Sequence, residues 1–452
     1  MKIITIHSPT STSERLKSTY KGRDQDKMVR FLPCIAHAPT NDTEDSSGGV
    51  TYLVAYRVWR AFDLPRTKTT HPTTEGHPWY EGWGASSFDG TAFMTIRVDK
   101  SGKRATVLSD AIYENGNGKV DMRLLHIRDN LYHVAFNTFG RRNPVIHPTN
   151  ADSMDPQLVP KCFYYVNKTT GKVNHNPSRR KLAGQLDSER TVDNYLDWGG
   201  CTFQNTSVLT VGQNKTPKYN RPSLICPSSH GRLEKNYSMF FDLRKRLCHQ
   251  YAITPWSFLD HSCKVHTPMK TTLFKRVADY YDPRPVSPFA KNIVFSCSTP
   301  LISYNEHEYI AMGHFKLHYE RIRSLPHNSP ARVFTNKLKK ELGISMFDHD
   351  KYPKKVHYEL IYGMFVYTVN KKTWKLSRAS KAFILMNKRR PNALCFPSGI
   401  IQHNKDKFIT SYHENDINIK LWIADRSELE SMLQYNERNT KPNKFEFSII
   451  HV

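Results

Sequence analysis

An aspartate and an arginine stand two residues apart in Lys119-Val120-Asp121-Met122-Arg123-Leu124, directly after the turn-forming run Asn115-Gly116-Asn117-Gly118. In an extended strand, residues i and i+2 point to the same side. A carboxylate placed this way can act as general acid or base, and the guanidinium beside it can bind an anionic oxygen. The same residues admit a plainer reading, in which Asp121 caps the glycine-rich turn before it. Metal chemistry has weaker support. His261-x-Cys263-x-x-His266 has ligand-type residues but no fourth partner at recognisable spacing, so it reads as a loop. The eight cysteines, at 34, 162, 201, 226, 248, 263, 297 and 395, form no Cys-x-x-Cys pair. Free thiols in a reducing compartment are expected, rather than a zinc ribbon or a disulfide framework.

The elements that must position Asp121 and Arg123 repeat along the chain. Thr51–Arg57, Asp129–Phe136, Arg246–Ala252, Glu308–His314 and Lys407–His413 are alternating strand phrases, most of them with an aromatic near the end and a polar residue beside it. Repeated strand units of this kind predict an all-β, five-bladed β-propeller, whose strands converge on one axis and bring distant polar residues to one pocket. Asn115-Gly116, Asp129-Asn130 and Asn404-Lys405-Asp406 supply the hairpin turns. Residues 1–452 read as a single propeller domain with blades beginning near 50, 120, 235, 293 and 395, and with long inter-blade insertions. The largest insertion is 141–222, and 65–83 is another; long loops on a rigid scaffold are where specificity usually sits. Helices are few and short: Ala331–Leu342, and Asp425–Tyr435 with Ser427-x-x-Glu430 as a capping box.

Composition narrows the partners. With 38% hydrophobic, 24% charged and 12% aromatic residues, the 452-residue chain describes a soluble globular protein. A formal charge of +25 implies attraction to something anionic, whether nucleic acid, an acidic membrane surface or a phosphorylated small molecule. The basic clusters at Lys337–Lys340, Lys351–Lys355 and Lys388–Arg390 read as solvated surface, and their scatter does not make the basic and aromatic stripe that single-stranded nucleic acid needs. No run approaches the ~20 apolar residues that span a bilayer. Residues 1–9 lack the basic start and long apolar core of a secretory signal, so a cytoplasmic location is expected and five Asn-x-Ser/Thr matches are taken as chance.

Four ordered segments carry a family resemblance. Val120-Asp121-Met122-Arg123 is similar to the Glu-Asp-Pro-Arg motif of the five-bladed propeller enzymes that act on mannosides, glycoside hydrolase family 130 and the related β-1,2-mannosyltransferases. Glu234-Lys235-Asn236-Tyr237-Ser238-Met239-Phe240 resembles the family's Glu-Lys-Asn-Trp-x-Pro-Phe. Ser298-Thr299-Pro300-Leu301-Ile302 with Gly313-His314 resembles its Gly-x-Pro-Pro segment and the following Gly-His. Phe396-Pro397-Ser398-Gly399 with Ser411-Tyr412-His413-Glu414-Asn415-Asp416 resembles its closing pair. The departures are Val120 for the Glu, Met122 for the Pro, Tyr237 for the Trp and His413 for a Gly.

The resemblance implies Asp121 as catalytic acid/base, with Arg57 and Arg123 on sugar hydroxyls or phosphate. It also implies Glu234, Lys235 and Asn236 at the donor, Thr299 and Ser398 in the substrate-binding set, and His314, His413 and Asp416 lining the axial pocket. The activity implied is an inverting glycosyltransferase that moves a hexose, mannose first, from a sugar nucleotide or sugar phosphate to a glycan acceptor. It needs no metal and no cofactor. A β-mannoside phosphorylase or hydrolase, and a non-catalytic carbohydrate-binding propeller, stay open beside it. Transfer is favoured over inverting hydrolysis, because hydrolysis needs a second carboxylate about 6.5–9.5 Å from the acid and no Asp or Glu stands out as that partner in the matched motifs.

Overall fold

The five recurring phrases are strands, and each is the second strand of its sheet rather than the innermost one. In the computed structural model the described residues are 2–6, 28–39, 49–60, 88–109, 112–113, 119–141, 164–166, 173–175, 200–211, 217–224, 237–253, 256–262, 264–267, 293–318, 325–342, 360–386, 395–414, 418–436 and 447–451. The segment 65–83 and the basic clusters 351–355 and 388–390 lie outside them.

After β1 (Lys2–Ile6), the first sheet runs β2 (Met28–His37), β3 (Val50–Arg60), β4 (Phe88–Val98) and β5 (Ala105–Val107), with β6 (Ile112–Tyr113) also on β4. The second comprises β7 (Lys119–Arg128) and β8 (Leu131–Arg141). After a separate ribbon of β9 (Tyr164–Val166) and β10 (Val173–His175), it continues with β11 (Gly200–Thr210) and β12 (Lys218–Leu224). The third is β13 (Ser238–Phe241), β14 (Leu247–Ile253), β15 (Trp256–Leu259) and β16 (Val265–His266).

The fourth holds β17 (Ile293–Cys297), β18 (Ile302–Ser303), β19 (Glu308–His318), β20 (Leu360–Asn370), β21 (Leu376–Ala379) and β22 (Ala382–Met386), with helix α1 (Pro330–Leu342) between β19 and β20. The fifth is β23 (Cys395–Gln402), β24 (Lys407–Glu414) and β25 (Asn418–Asp425), and β1 closes it by pairing antiparallel with β25. Helix α2 (Arg426–Met432) follows directly, and β26 (Phe447–His451) returns to lie parallel to β22 in the fourth sheet.

The protein is therefore mostly β with few helices, in a propeller arrangement. Strand β2 packs on β7, β7 on β13, β14 on β17, β19 on β23, and β23 back on β2. The five blades expected from sequence are not found: among the described residues four sheets are regular blades, and the remaining large sheet departs from them. Four are regular meanders of four or five strands, while the fourth in chain order has seven, enlarged by short β18 and β21 and by the parallel β22–β26 pair.

Two expected boundaries also change. The first sheet starts at Met28, because the strand before the Thr51 phrase contains Pro33 and a bulge that hide its alternation. Residues 200–210 and 218–224, read from sequence as insertion, are the outer strands of the second sheet. The capping box of α2 lies two residues earlier than read, for Glu428 accepts from the backbone N–H of Asp425 at 2.9 Å.

Strand alternation explains how a sheet can be buried on both faces. Along β3, Tyr52, Val54 and Tyr56 join Ile401, Ile409 and Leu421 of the fifth sheet, while Leu53 and Ala55 join Leu124, Val134 and Phe136 of the second. The core is thus a series of apolar wedges between neighbouring sheets. The turns at the ends of these strands carry the polar residues.

Candidate functional site

The inner strands of three adjacent sheets each break their ladder at a bulge. β2 has a bulge between Phe31 and Cys34, β7 between Val120 and Arg123, and β23 between Pro397 and Gly399. Two of these bulges hold a non-glycine residue in the left-handed region, Leu32 at φ 51° and Asp121 at φ 55°. Aspartate tolerates that conformation better than most residues, and such strained positions concentrate at functional sites. A bulge also re-aims the side chain that follows it.

The carboxylate of Asp121 is held at both oxygens. Arg57 Nη1 donates to Oδ1 at 2.9 Å, an ion pair whose side chains are only 15% and 12% exposed, and Asn137 Nδ2 donates to Oδ2 at 2.9 Å. Asn137 reaches it from β8, where it pairs with Val120 across the hairpin.

Arg123 is entirely buried, with 0% of its surface exposed. Its Nε donates to the Ser298 carbonyl at 2.6 Å, and its Nη1 to the carbonyls of Asp121 at 3.0 Å and Met122 at 3.2 Å. Nη2 has no hydrogen-bond partner among the described residues. Burial lowers the affinity of this guanidinium for its proton, and the charge of Asp121 opposes that effect. Arginine nevertheless stays charged.

Across the axis, Ser298 Oγ lies 2.6 Å from His314 Nδ1. The His314 ring sits 4.3 Å from that of Phe396, which also lies 5.5 Å from His413 and 5.8 Å from the Arg123 guanidinium carbon. Ser398, one residue beyond the bulge proline, is buried, and its hydroxyl makes no hydrogen bond among the described residues.

The structure thus brings Arg123, His314 and His413 around Phe396, with Asp121 and Arg57 linked on through Arg123, Ser298 bonded to His314, and Ser398 two residues further along β23. Thr299 instead ties strands together. Its Oγ1 accepts the N–H of Met312 at 2.8 Å, and its carbonyl accepts from Gln250 at 2.8 Å, pinning the end of β17 to its neighbours. Glu234, Lys235, Asn236 and Asp416 lie outside the described residues.

Sequence reasoning did not single out Asn137, gave Phe396 no role beyond its place in a motif, and read Cys34 only as one of the scattered free thiols. The register that delivers Asn137 to Asp121 depends on two bulges in β7, so counting back from the Asp129-Asn130 turn does not find it. The thiol of Cys34 accepts the N–H of Leu124 at 3.1 Å, and burial pushes it up to about 11, outweighing the opposing charge of Arg123. A thiol so disposed is inert rather than nucleophilic.

Among the described residues no group of three or more His, Cys, Asp or Glu could hold a metal. His266 of the sequence-level histidine pair bonds Asp260 at 2.7 Å instead, and Cys263 lies outside the described residues. The four described cysteines, 34, 248, 297 and 395, are buried thiols outside any disulfide. No helix among the described residues is long and apolar enough to cross a membrane.

Chemically, the described side chains of the cluster include one carboxylate and two guanidiniums, one more positive than negative charge among the described residues, at a site largely screened from water. Such a site suits an anionic group beside a proton donor or acceptor.

No protein-family description and no curated protein sequence matches this chain. Solved structures resemble it at low identity. A mannose phosphorylase from Leishmania mexicana, in complex with phosphate ion, has 7% identity and a TM-score of 0.39, with 92% of each chain covered. A GDP-Man-dependent mannosyltransferase from Leishmania mexicana has 8% identity and a TM-score of 0.38 over 92% of this chain and 94% of that one. A β-1,2-mannobiose phosphorylase from Listeria innocua has 10% identity and a TM-score of 0.41 over 96% and 99%.

Proposed function

We propose that residues 1–452 form a carbohydrate-active propeller enzyme that transfers a hexose, mannose first, with inversion, from a sugar nucleotide or sugar phosphate to a glycan acceptor. The observation that carries this reading is the Asp121 carboxylate, 2.9 Å from the Arg57 guanidinium and two residues from the buried Arg123. The motif resemblance around Asp121, Ser298 and Phe396 supports the same substrate class.

In this reading the donor phosphate lies toward the guanidiniums, where excess positive charge stabilises the negative charge that grows on the leaving group. The acceptor hydroxyl attacks the anomeric carbon from the opposite face, the anomeric C–O bond to phosphate breaks, and its electron pair leaves with the phosphate. Asp121 takes the hydroxyl proton directly or by relay. Buried Arg123 supports this arrangement from behind, because its Nη1 bonds to the Asp121 and Met122 carbonyls fix the bulge that aims the carboxylate. The reverse reaction, phosphorolysis of a β-mannoside, uses the same groups with inorganic phosphate as acceptor.

The test is incubation of the protein with GDP-mannose or mannose 1-phosphate, alone and with mannose or mannobiose, following release of GDP or phosphate and formation of new glycosides. Acceptor-dependent release that is lost in Asp121→Asn is expected. Unchanged turnover in Asp121→Asn would remove Asp121 from the chemistry, and no binding of any mannosyl ligand would overturn the substrate class.

A further inference from the structure

We propose that Asn137 is the positioning residue of Asp121 and that the proton taken up in the reaction is carried on Oδ2, the carboxylate oxygen that faces Asn137. This rests on the reading of Asp121 as the acid/base.

The two oxygens of Asp121 have different partners. Oδ1 faces Arg57, and a guanidinium can only donate, so a proton on Oδ1 would break the ion pair. Oδ2 faces Asn137, and a carboxamide carries both a donor and an acceptor. In the present arrangement Nδ2 donates and suits the ionised carboxylate. Asn137 is 1% exposed, and its Oδ1 is a buried acceptor with no hydrogen-bond partner among the described residues. When Oδ2 takes a proton, a half-turn of the amide brings that idle acceptor to the new O–H.

Asn137 therefore serves both protonation states, whereas Arg57 serves one. The step balances: the acceptor O–H bond breaks as its oxygen bonds to the anomeric carbon, the proton moves to Oδ2, and it passes afterwards to the released phosphate. Arg57 from β3 and Arg123 from the same strand as Asp121 are the charged groups facing this carboxylate in the described contacts.

The test needs no turnover. Thermal and urea unfolding are measured from neutral to acid pH for the protein, Asn137→Ala, the near-isosteric Asn137→Leu, Asp121→Asn and the two double variants, with and without mannose 1-phosphate. The bond donated to the ionised carboxylate is charge-assisted, whereas the turned amide keeps only a neutral bond to the protonated one, so the contribution of Asn137 is largest at neutral pH and falls, without vanishing, as the carboxylate titrates. Removing Asn137 should lower the folded-to-unfolded ratio about tenfold at neutral pH. The deficit should narrow on acidification, and the narrowing should be absent in the Asp121→Asn background.

A deficit constant with pH in both backgrounds would mean that Asn137 only fills space, and the proposal would fall. Leu in place of Ala separates loss of the bond from loss of volume. Failure of mannose 1-phosphate to raise the unfolding temperature of the unaltered protein would count against the substrate class, while the coupling between 121 and 137 would still be read from the variants.

Discussion

The Nε of Arg123 donates to the carbonyl oxygen of Ser298 at 2.6 Å, joining the inner strand of the second sheet to the end of β17 in the fourth, across the propeller axis. A buried arginine is rarely tolerated without partners. Here the partners are backbone carbonyls on both sides of the axis, so this side chain serves as a cross-brace as well as a charge.

Removing the brace should therefore unfold more than it disarms. Arg123→Leu would strand three buried carbonyls, those of Ser298, Asp121 and Met122, each costing up to a few kcal/mol when unpaired. A loss of about 3 kcal/mol in urea unfolding is expected. Arg123→Lys should not rescue it, since an ammonium is a single point of donation and cannot span both sides as the planar fork does. A Lys variant of unaltered stability would show that the charge alone matters.

Asp121→Asn separates charge from shape. Asparagine accepts the left-handed backbone at φ 55° and keeps a carbonyl oxygen for Arg57 or Asn137. The fold should survive with its unfolding temperature nearly unchanged. Removing the Asp121 carboxylate from beside the guanidiniums should tighten inorganic phosphate binding about tenfold, or about 1.4 kcal/mol, while glycosyl transfer is lost. Titration calorimetry with phosphate reads this directly, and weaker phosphate binding in the variant would contradict the charge argument.

The fold was easier to read than the site. Second strands such as Thr51–Arg57 and Lys407–His413 advertise themselves, because both faces are buried and hydrophobic residues run through them. Inner strands do not, since Leu32-Pro33, Asp121-Met122 and Pro397-Ser398 sit at bulges that break the two-residue period on which strand recognition depends. Those bulges are what aim the polar side chains. Asp121 and Arg123 were legible as a motif. That the first is partly exposed beside Arg57 while the second is wholly buried follows from packing, not from their spacing on a strand. Asn137 enters only through contacts between strands, and the ring of Phe396, though part of a motif, gains its place beside His314, His413 and Arg123 only through contacts between sheets. The unequal fourth sheet was hidden because β26 joins it from the far end of the sequence.

Acid stability should depend on His249. This residue is buried between the second and third sheets, and neither ring nitrogen has a hydrogen-bond partner among the described residues. Burial, with the charge of nearby His133 adding to it, pushes its pKa down to about 3 from the usual 6.5. The folded protein thus refuses a proton that the unfolded chain accepts. Stability should begin to fall as the pH drops below about 6.5, by up to about 1.4 kcal/mol per pH unit from this one group, and the penalty is complete only below the folded value. His249→Leu should flatten that slope in unfolding measurements between pH 7 and pH 4. His133, also lowered by burial, would leave a residual slope of its own.

The seam between the first and fifth sheets makes the sharpest packing prediction. Gly399 lies where a Cβ would stand 2.6 Å from the backbone nitrogen of Ile35, 2.8 Å from Ser411 Oγ and 3.1 Å from Cys34 Sγ. Ser411 already ties the sheets by donating to the Pro33 carbonyl at 2.6 Å. Gly399→Ala must push β23 away from β2, and overpacking of this kind costs about 2 kcal/mol, lowering the unfolding temperature by about 2 °C for a chain of this size. Ser411→Ala added to it removes one of the three clashes but not the one with backbone, so it should restore little. Because Ser398 and Phe396 ride on the same strand, phosphate and mannosyl ligands should also bind more weakly in Gly399→Ala. A variant that unfolds earlier yet binds these ligands with unchanged affinity would place the ligand site away from this seam.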